Sequence, residues 1–208
     1  MTPNTPDARR RAIVLALLAL ALLALPLAAQ GKKSLTAPGR YKDWDGEVDR
    51  VEILKGFNLA DYDRVIAEPF DAKDVDLPDK DDNTYLPVKS VLSHAVEPFL
   101  DGLTNALPER LKVGKGEVGE ARTLKIRGKV DLMDPGSQAA RYWVGFGAGA
   151  SKTGISGEIV DAATGEVLIK FEQERRSGVG AAGGDYEELF DRNLEQIGED
   201  IAGLLKAF

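Results

Sequence analysis

The sequence predicts an α+β or α/β fold in which two main helices pack on a mixed β-sheet of about five strands. Residues 124–133 alternate between apolar and charged side chains, which is typical of a strand with one buried face. Residues 186–208 instead place apolar side chains three and four positions apart, which is typical of an amphipathic helix. The expected element order is β-β-α-β-β-β-α.

The first half of the fold is expected to contain two strands and a helix. Residues 48–57 and 62–70 have the apolar content of strands. Residues 71–83 are acidic and rich in turn-forming residues, so we expect a loop there. Apolar residues then recur at helical spacing over 86–107. Pro98 removes a backbone hydrogen bond from that helix, which predicts a kink or a break.

The second half is expected to add the remaining strands and the last helix. Residues 141–146 are aromatic and strand-like. Residues 154–160 and 166–172 flank a short turn, which predicts a hairpin in which Gly165 takes the left-handed conformation. Asp185 is a favourable N-cap, so we expect the last helix to begin directly after it.

Residues 1–31 have the pattern of a secretory signal peptide. Three arginines precede an apolar run over 12–25, and small residues follow Pro26. The run is shorter than the roughly 20 residues that a membrane-spanning helix needs. We therefore expect cleavage near Ala29 or Gly31 and a periplasmic or secreted protein, with an uncleaved membrane anchor as the alternative.

The residues after the apolar run bear on anchoring and on domain organisation. They match a bacterial lipoprotein signal except at Gln30, where a cysteine would have to carry the lipid, and the chain contains no cysteine. We therefore expect no lipid anchor at this position. Residues 32–47 are polar and contain proline and glycine, which predicts a flexible leader. Residues 48–208 are expected to form a single domain.

Composition narrows the possible functions. The 208 residues include 27 Lys and Arg against 34 Asp and Glu, a net charge of −7. Such a chain is expected to repel nucleic acid and anionic lipid. Without cysteine it cannot form disulfides, thiolate nucleophiles or sulfur-ligated metal sites. Its single histidine, His94, cannot make a multi-histidine site, so we expect no metal and no cofactor.

Motifs for catalysis or nucleotide binding are incomplete. Residues 145–150 match G-x-G-x-x-[G/A], but the residues that follow favour a strand where a dinucleotide site needs a helix. Residues 79–90 begin like a calcium loop, but Thr84 and Ser90 replace its glycine and its glutamate. His94 has no evident catalytic partner. We therefore predict no catalytic residue and a non-enzymatic protein.

Three motifs in the second half carry a resemblance to a known family. They are Asp134-Pro135-Gly136-Ser137, Arg141-Tyr142-Trp143-Val144-Gly145-Phe146-Gly147-Ala148-Gly149, and Asp161-Ala162-Ala163-Thr164-Gly165-Glu166-Val167-Leu168. Together they resemble a family of bacterial envelope proteins known as domain of unknown function 4410. The resemblance covers about residues 48–207. It implies an α/β domain, similar in fold to the amino-terminal domain of the periplasmic protein TolB, with no established catalytic residues.

The combined expectation is an exported, non-enzymatic envelope protein that binds another envelope protein or a cell-wall component. The candidate contact surface is an aromatic segment with one arginine, formed by Arg141, Tyr142, Trp143 and Phe146. The other interpretation of these four residues is sheet core with one surface arginine. The alternative function is binding of a small ligand, such as a nucleotide or a glycan fragment. Backbone amides of the glycine-rich segments 145–149 and 178–184 would then contact an anion.

Overall fold

A mixed β-sheet with helices on one face forms the body of the protein. The computed structural model describes residues 35–116, 122–136, 150–177 and 185–208. Within these ranges the strands are β1 Gly39–Trp44, β2 Val48–Ile53, β3 Arg64–Ala67, β4 Lys112–Gly114, β5 Thr123–Asp134, β6 Ser151–Asp161 and β7 Val167–Ser177. The helices are α1 Tyr85–Leu92, α2 Val96–Ala106 and α3 Tyr186–Lys206, and a 3₁₀ turn spans Leu59–Asp61.

The seven described strands form one sheet in the order β1-β2-β7-β6-β5-β3-β4. The pairs β1–β2, β2–β7, β7–β6 and β6–β5 are antiparallel, whereas β3 pairs in parallel with both β5 and β4. The predicted mixed sheet is therefore confirmed, but the expected number of about five strands is too low.

Two short strands at the edges of the sheet account for the difference between five and seven. The predicted flexible leader, residues 32–47, contains β1, which pairs with β2 from Gly39 to Trp44. Of its six residues only Trp44 is buried, so hydrophobic alternation gave no signal. The other missed strand, β4, has three residues. Residues Thr36–Phe208 form one compact unit, which begins before residue 48 because β1 belongs to the sheet.

The core lies between the sheet and helices α2 and α3. Strand β5 alternates over most of its length as predicted, and β5, β6 and β7 each bury a set of side chains under the helices. Large side chains with less than 2% exposure include Ile126, Ile155, Ile159, Ile169, Phe190 and Leu194. Each such side chain contributes roughly 1.5–3 kcal/mol to folding.

Helix α3 begins where the sequence predicts. The Asp185 carboxylate accepts a hydrogen bond from the backbone N–H of Glu187 at 2.9 Å, which caps the helix. The predicted hairpin is also present, because β6 and β7 are joined by a turn in which Gly165 has φ +74°. Local sequence signals therefore predict both the turn after β6 and the start of α3.

The predicted helix over 86–107 is two helices. Helix α1 ends at Leu92 and α2 begins at Val96, so the break lies just before Pro98. Pro98 occupies the first turn of α2, where backbone N–H groups have no partner within the helix. Its missing N–H therefore costs nothing at this position, and the expected break is displaced by a few residues.

Helices α2 and α3 touch through their backbones. A Cβ atom built on Gly198 would lie 2.2 Å from the carbonyl oxygen of Phe99, and one built on Gly102 would lie 2.0 Å from that of Glu195. Both distances are far shorter than any real Cβ contact. The two glycines therefore permit a close crossing that no other residue type would allow.

A buried polar cluster fixes α3 against the sheet. The Ser177 hydroxyl donates to Asn193 at 2.6 Å, and the Asn193 amide donates to the Thr153 hydroxyl at 3.3 Å. Two turns further along, Asp200 accepts hydrogen bonds from Gln173 and Arg175. These groups are satisfied by one another, so they specify one position of the helix along β6 and β7.

The predicted signal peptide, residues 1–31, lies outside the described residues, and its cleavage stays a prediction. Among the helices that are described, none is long and apolar enough to cross a membrane.

Candidate functional site on the open face of the sheet

The site residues predicted from the sequence cannot be placed. Arg141, Tyr142, Trp143 and Phe146 fall within 137–149, outside the described residues, as do both glycine-rich segments, 145–149 and 178–184. Their proposed contacts stay predictions. Side chains on the strands form a different candidate site.

The face of the sheet opposite the helices carries two rows of polar side chains. The strand register places Lys42, Arg50, Glu172, Ser156 and Lys129 side by side across β1, β2, β7, β6 and β5. A second row, two residues away on each strand, consists of Arg40, Glu52, Lys170, Glu158 and Arg127. We call these ten residues the charged face. At the usual spacing of strands, each row is roughly 19 Å long.

The backbone between the two rows forms the floor of the charged face. Its residues, Tyr41, Val51, Phe171, Gly157 and Gly128, form a third register row that lies between the two charged rows. Val51 and Phe171 are each only 2% exposed. A Cβ on Gly157 would lie 2.6 Å from Cζ of Phe171, so the aromatic ring covers this glycine. The rows and the floor together line a shallow concavity of about 800 Å³.

Ion pairs link the side chains of the second row. Arg40 lies 2.9 Å from Glu52, and Glu158 lies between Arg127 at 2.8 Å and Lys170 at 3.3 Å. Positive and negative groups alternate along the whole row. This arrangement stabilises directly opposite strand neighbours and leaves one positive charge in excess.

The first row is more strongly positive. Arg50 pairs with Glu172, and Lys129 pairs with Asp131 on its own strand at 2.7 Å. No acidic group of the described residues lies within ion-pairing distance of Lys42. The ten residues of the charged face include six basic and three acidic side chains, a net charge of +3, and Asp131 beside Lys129 lowers the local excess to +2, on a chain whose net charge is −7. The fold therefore gathers basic groups that the sequence total conceals.

Ion pairs stabilise the charged forms of two residues of this face, Glu158 and Lys129. Burial opposes ionisation of Glu158, but hydrogen bonds from Arg127 and Lys170 outweigh it and lower the pKa of the carboxyl group. The hydrogen bond to Asp131 raises the pKa of the Lys129 ammonium. Both shifts favour the ionised forms, so Glu158 and Lys129 are charged at neutral pH.

His94 lies in the break between α1 and α2, close to α3. Its Nε2 atom is 3.4 Å from Oδ1 of Asp191, and its side chain is 35% exposed. Burial raises the pKa of Asp191, and the nearby imidazole opposes that shift. The contact joins the helix break to α3. Within the described ranges, no three acidic, histidine or cysteine side chains are close enough together to hold a metal ion.

The charged face could have been suspected from the sequence, but not assembled. Charged residues alternate with apolar ones in β5 and β7, which predicts one polar face on each strand. Which charges become neighbours depends on the register between β2 and β7, whose paired residues are about 120 positions apart. No local pattern contains that information.

The fold and this face define a mixed α+β domain with a polar, locally basic sheet surface. A family model described as "Domain of unknown function (DUF4410)" matches residues 65–182, more than half of the chain. The chain belongs to the DUF4410 family. The resemblance seen in the sequence motifs is thereby confirmed, and no curated protein matches the chain.

Several solved structures are similar to part of this chain. A PelC dodecamer from Paraburkholderia phytofirmans is 16% identical, covers 72% of this chain and 96% of its own, and has a TM-score of 0.41. A Xanthomonas campestris protein of family DUF330 is 12% identical, with coverages of 73% and 87% and a TM-score of 0.37. A homologue of the neuraminyllactose-binding hemagglutinin from Helicobacter pylori is 13% identical, with coverages of 73% and 85% and a TM-score of 0.31.

Proposed function

We propose that this chain is an exported, non-enzymatic envelope protein that binds a negatively charged envelope component through its charged face. The observation that carries the proposal is the concentration of six basic side chains on one face of an acidic chain. The pattern of residues 1–31 supports export. The proposal moves the expected contact surface from the aromatic segment 141–146 to the strands.

The ion pairs of the charged face do not prevent it from binding a ligand. Side chains such as Arg40 and Arg50 are mostly exposed, at 84% and 63%. Exposed ion pairs contribute roughly 0–1 kcal/mol each, so an incoming anion can replace a partner at little cost. The excess positive charge also attracts an acidic partner over a distance and speeds the encounter. Binding is therefore expected to weaken as salt concentration rises.

The test is capture of envelope components by the purified protein, compared with a variant that carries Lys42→Glu and Lys129→Glu. These substitutions reverse two charges at opposite ends of the first row. The matched control carries Lys80→Glu and Lys89→Glu, which make the same change of total charge at exposed positions away from the sheet face. All three proteins are expected to melt at similar temperatures.

We expect the wild type and the control to capture the same component, and the face variant to lose it. Capture alone does not support the proposal, because an acidic protein also collects nonspecific partners. The proposal fails if the face variant captures what the wild type captures, or if only background components are recovered from intact envelopes.

A further inference from the structure

The charged face contains both basic side chains and glutamates. This combination limits the class of ligand more than the net charge does. Three of its six basic residues are arginines, Arg40, Arg50 and Arg127. A guanidinium group offers paired N–H donors in a fixed plane that matches a carboxylate. The face is therefore suited to carboxylates presented one at a time along an extended molecule.

The glutamates constrain what that molecule can be. Glu52, Glu158 and Glu172 stand between the basic residues, and an ionised carboxylate only accepts hydrogen bonds. A polymer with an acid on every unit and no hydroxyl groups would meet three repulsive carboxylates and would have no hydroxyl group to donate to them. A ligand with hydroxyl groups between its acids would donate to these glutamates. The hydroxyl of Ser156, in the middle of the first row, can donate or accept.

The floor of the face argues against recognition of a peptide by strand addition. Strands β2, β7 and β6 each have a hydrogen-bonded neighbour on both sides, so their backbone groups are already paired. A ligand on this face must bind through side chains. A flexible polymer lying across the strands would meet basic groups on β1, β2, β7 and β5 over the roughly 19 Å of each row.

We propose that the component bound by the charged face is an acidic polysaccharide, a chain of sugars that carry both carboxylates and free hydroxyls. This inference rests on the proposed function and names the ligand class for the same face. The carboxylates pair with the arginines and lysines, and the hydroxyls donate to the glutamates.

The test measures binding of the purified chain to polygalacturonate, to poly-L-glutamate of similar charge and length, and to neutral dextran by titration calorimetry. We expect polygalacturonate to bind roughly tenfold more tightly than poly-L-glutamate, and dextran not to bind. The variant with Lys42→Glu and Lys129→Glu should lose polygalacturonate binding, whereas the control with Lys80→Glu and Lys89→Glu should keep it.

The substitution Glu172→Ala separates hydroxyl recognition from simple charge attraction. It makes the face more positive, so charge attraction alone would strengthen binding of both acidic polymers. If Glu172 accepts a hydrogen bond from a sugar, poly-L-glutamate binding should strengthen while polygalacturonate binding weakens. The inference would be overturned if Glu172→Ala bound both polymers more tightly than the wild type, or if the wild type bound both polymers with equal affinity.

The two proposals fail in different ways. If polygalacturonate does not bind but capture from envelopes still depends on Lys42 and Lys129, the polysaccharide class is wrong and the binding role of the face stands. If neither experiment depends on these lysines, both proposals are wrong.

Discussion

The close crossing of α2 and α3 makes Gly198→Ala a sensitive test of the structure. The added methyl group would lie 2.2 Å from the carbonyl oxygen of Phe99, which is backbone and cannot rotate away. The helices would have to separate by more than an ångström, and the side chains packed around the crossing would lose contact. Overpacking of this kind costs roughly 1–3 kcal/mol, and we expect a value at the upper end because the clash is with backbone.

Alanine has an opposite effect on the helix itself. Replacing a glycine in a helix interior stabilises it by about 1 kcal/mol. The net expectation is therefore a loss of about 2 kcal/mol, which for a domain of this size lowers the melting temperature by roughly 4–8 °C. Urea and thermal melts followed by circular dichroism measure both values.

Gly203→Ala is the matched control in the same helix. A methyl group there would meet only the end of the Glu47 side chain, which can move. This variant should gain helix propensity without the clash and melt at or above the wild-type temperature. If Gly198→Ala is as stable as Gly203→Ala, the two helix backbones are not in contact and the assigned packing is wrong.

Three further substitutions in and around α3 test the core. Ile197→Asp places a carboxylate in the fully buried stripe and should abolish the cooperative urea transition; a normal transition would mean that α3 does not pack on the sheet. Asn193→Ala leaves the buried polar groups of the sheet without their partner and should cost about 1–3 kcal/mol in urea melts, whereas the exposed Glu199→Ala should change stability by less than about 0.5 kcal/mol. Burial raises the pKa of Asp191 above 3.8, so the charge of this carboxylate opposes folding at neutral pH. The stability that Asp191 contributes is fully present below its unfolded pKa and is lost as pH rises through its folded pKa. Asp191→Asn should therefore be more stable than the wild type at about pH 7 and lose that advantage below about pH 4, as read from melts at both values; equal stability at neutral pH would mean that the contact with His94 compensates the burial.

Signals that act over a few residues predicted their elements well. The Asp185 cap, the turn at Gly165 and the alternation in β5 each depend on neighbours close in sequence, and each is present in the structure. The sequence also correctly predicts a helix break near Pro98. The exact effect of this proline depended on whether it fell in a helix interior or in a first turn, which the amphipathic pattern could not distinguish.

Features that depend on distant pairing were not predictable. Strand β1 is polar on most of its surface and exists because β2 offers it hydrogen bonds. The charged face is the same case on a larger scale, because it arises when five strands bring residues from positions 40–52, 127–129, 156–158 and 170–172 into two rows. The net charge of −7 likewise gave no indication of a locally basic surface.

The pairing of β2 with β7 has a consequence for the order in which the protein folds. The backbone N–H of Glu174 bonds to Asp49, 125 positions earlier, so the first hairpin can join the sheet only after the last strand has been formed. Closing so long a loop is slow. The hairpin β1–β2 is therefore expected to dock late, onto β5–β7 already assembled beneath α3. In a chain that becomes available from its N-terminus, β1 and β2 could not pair with the sheet until β7 was also available.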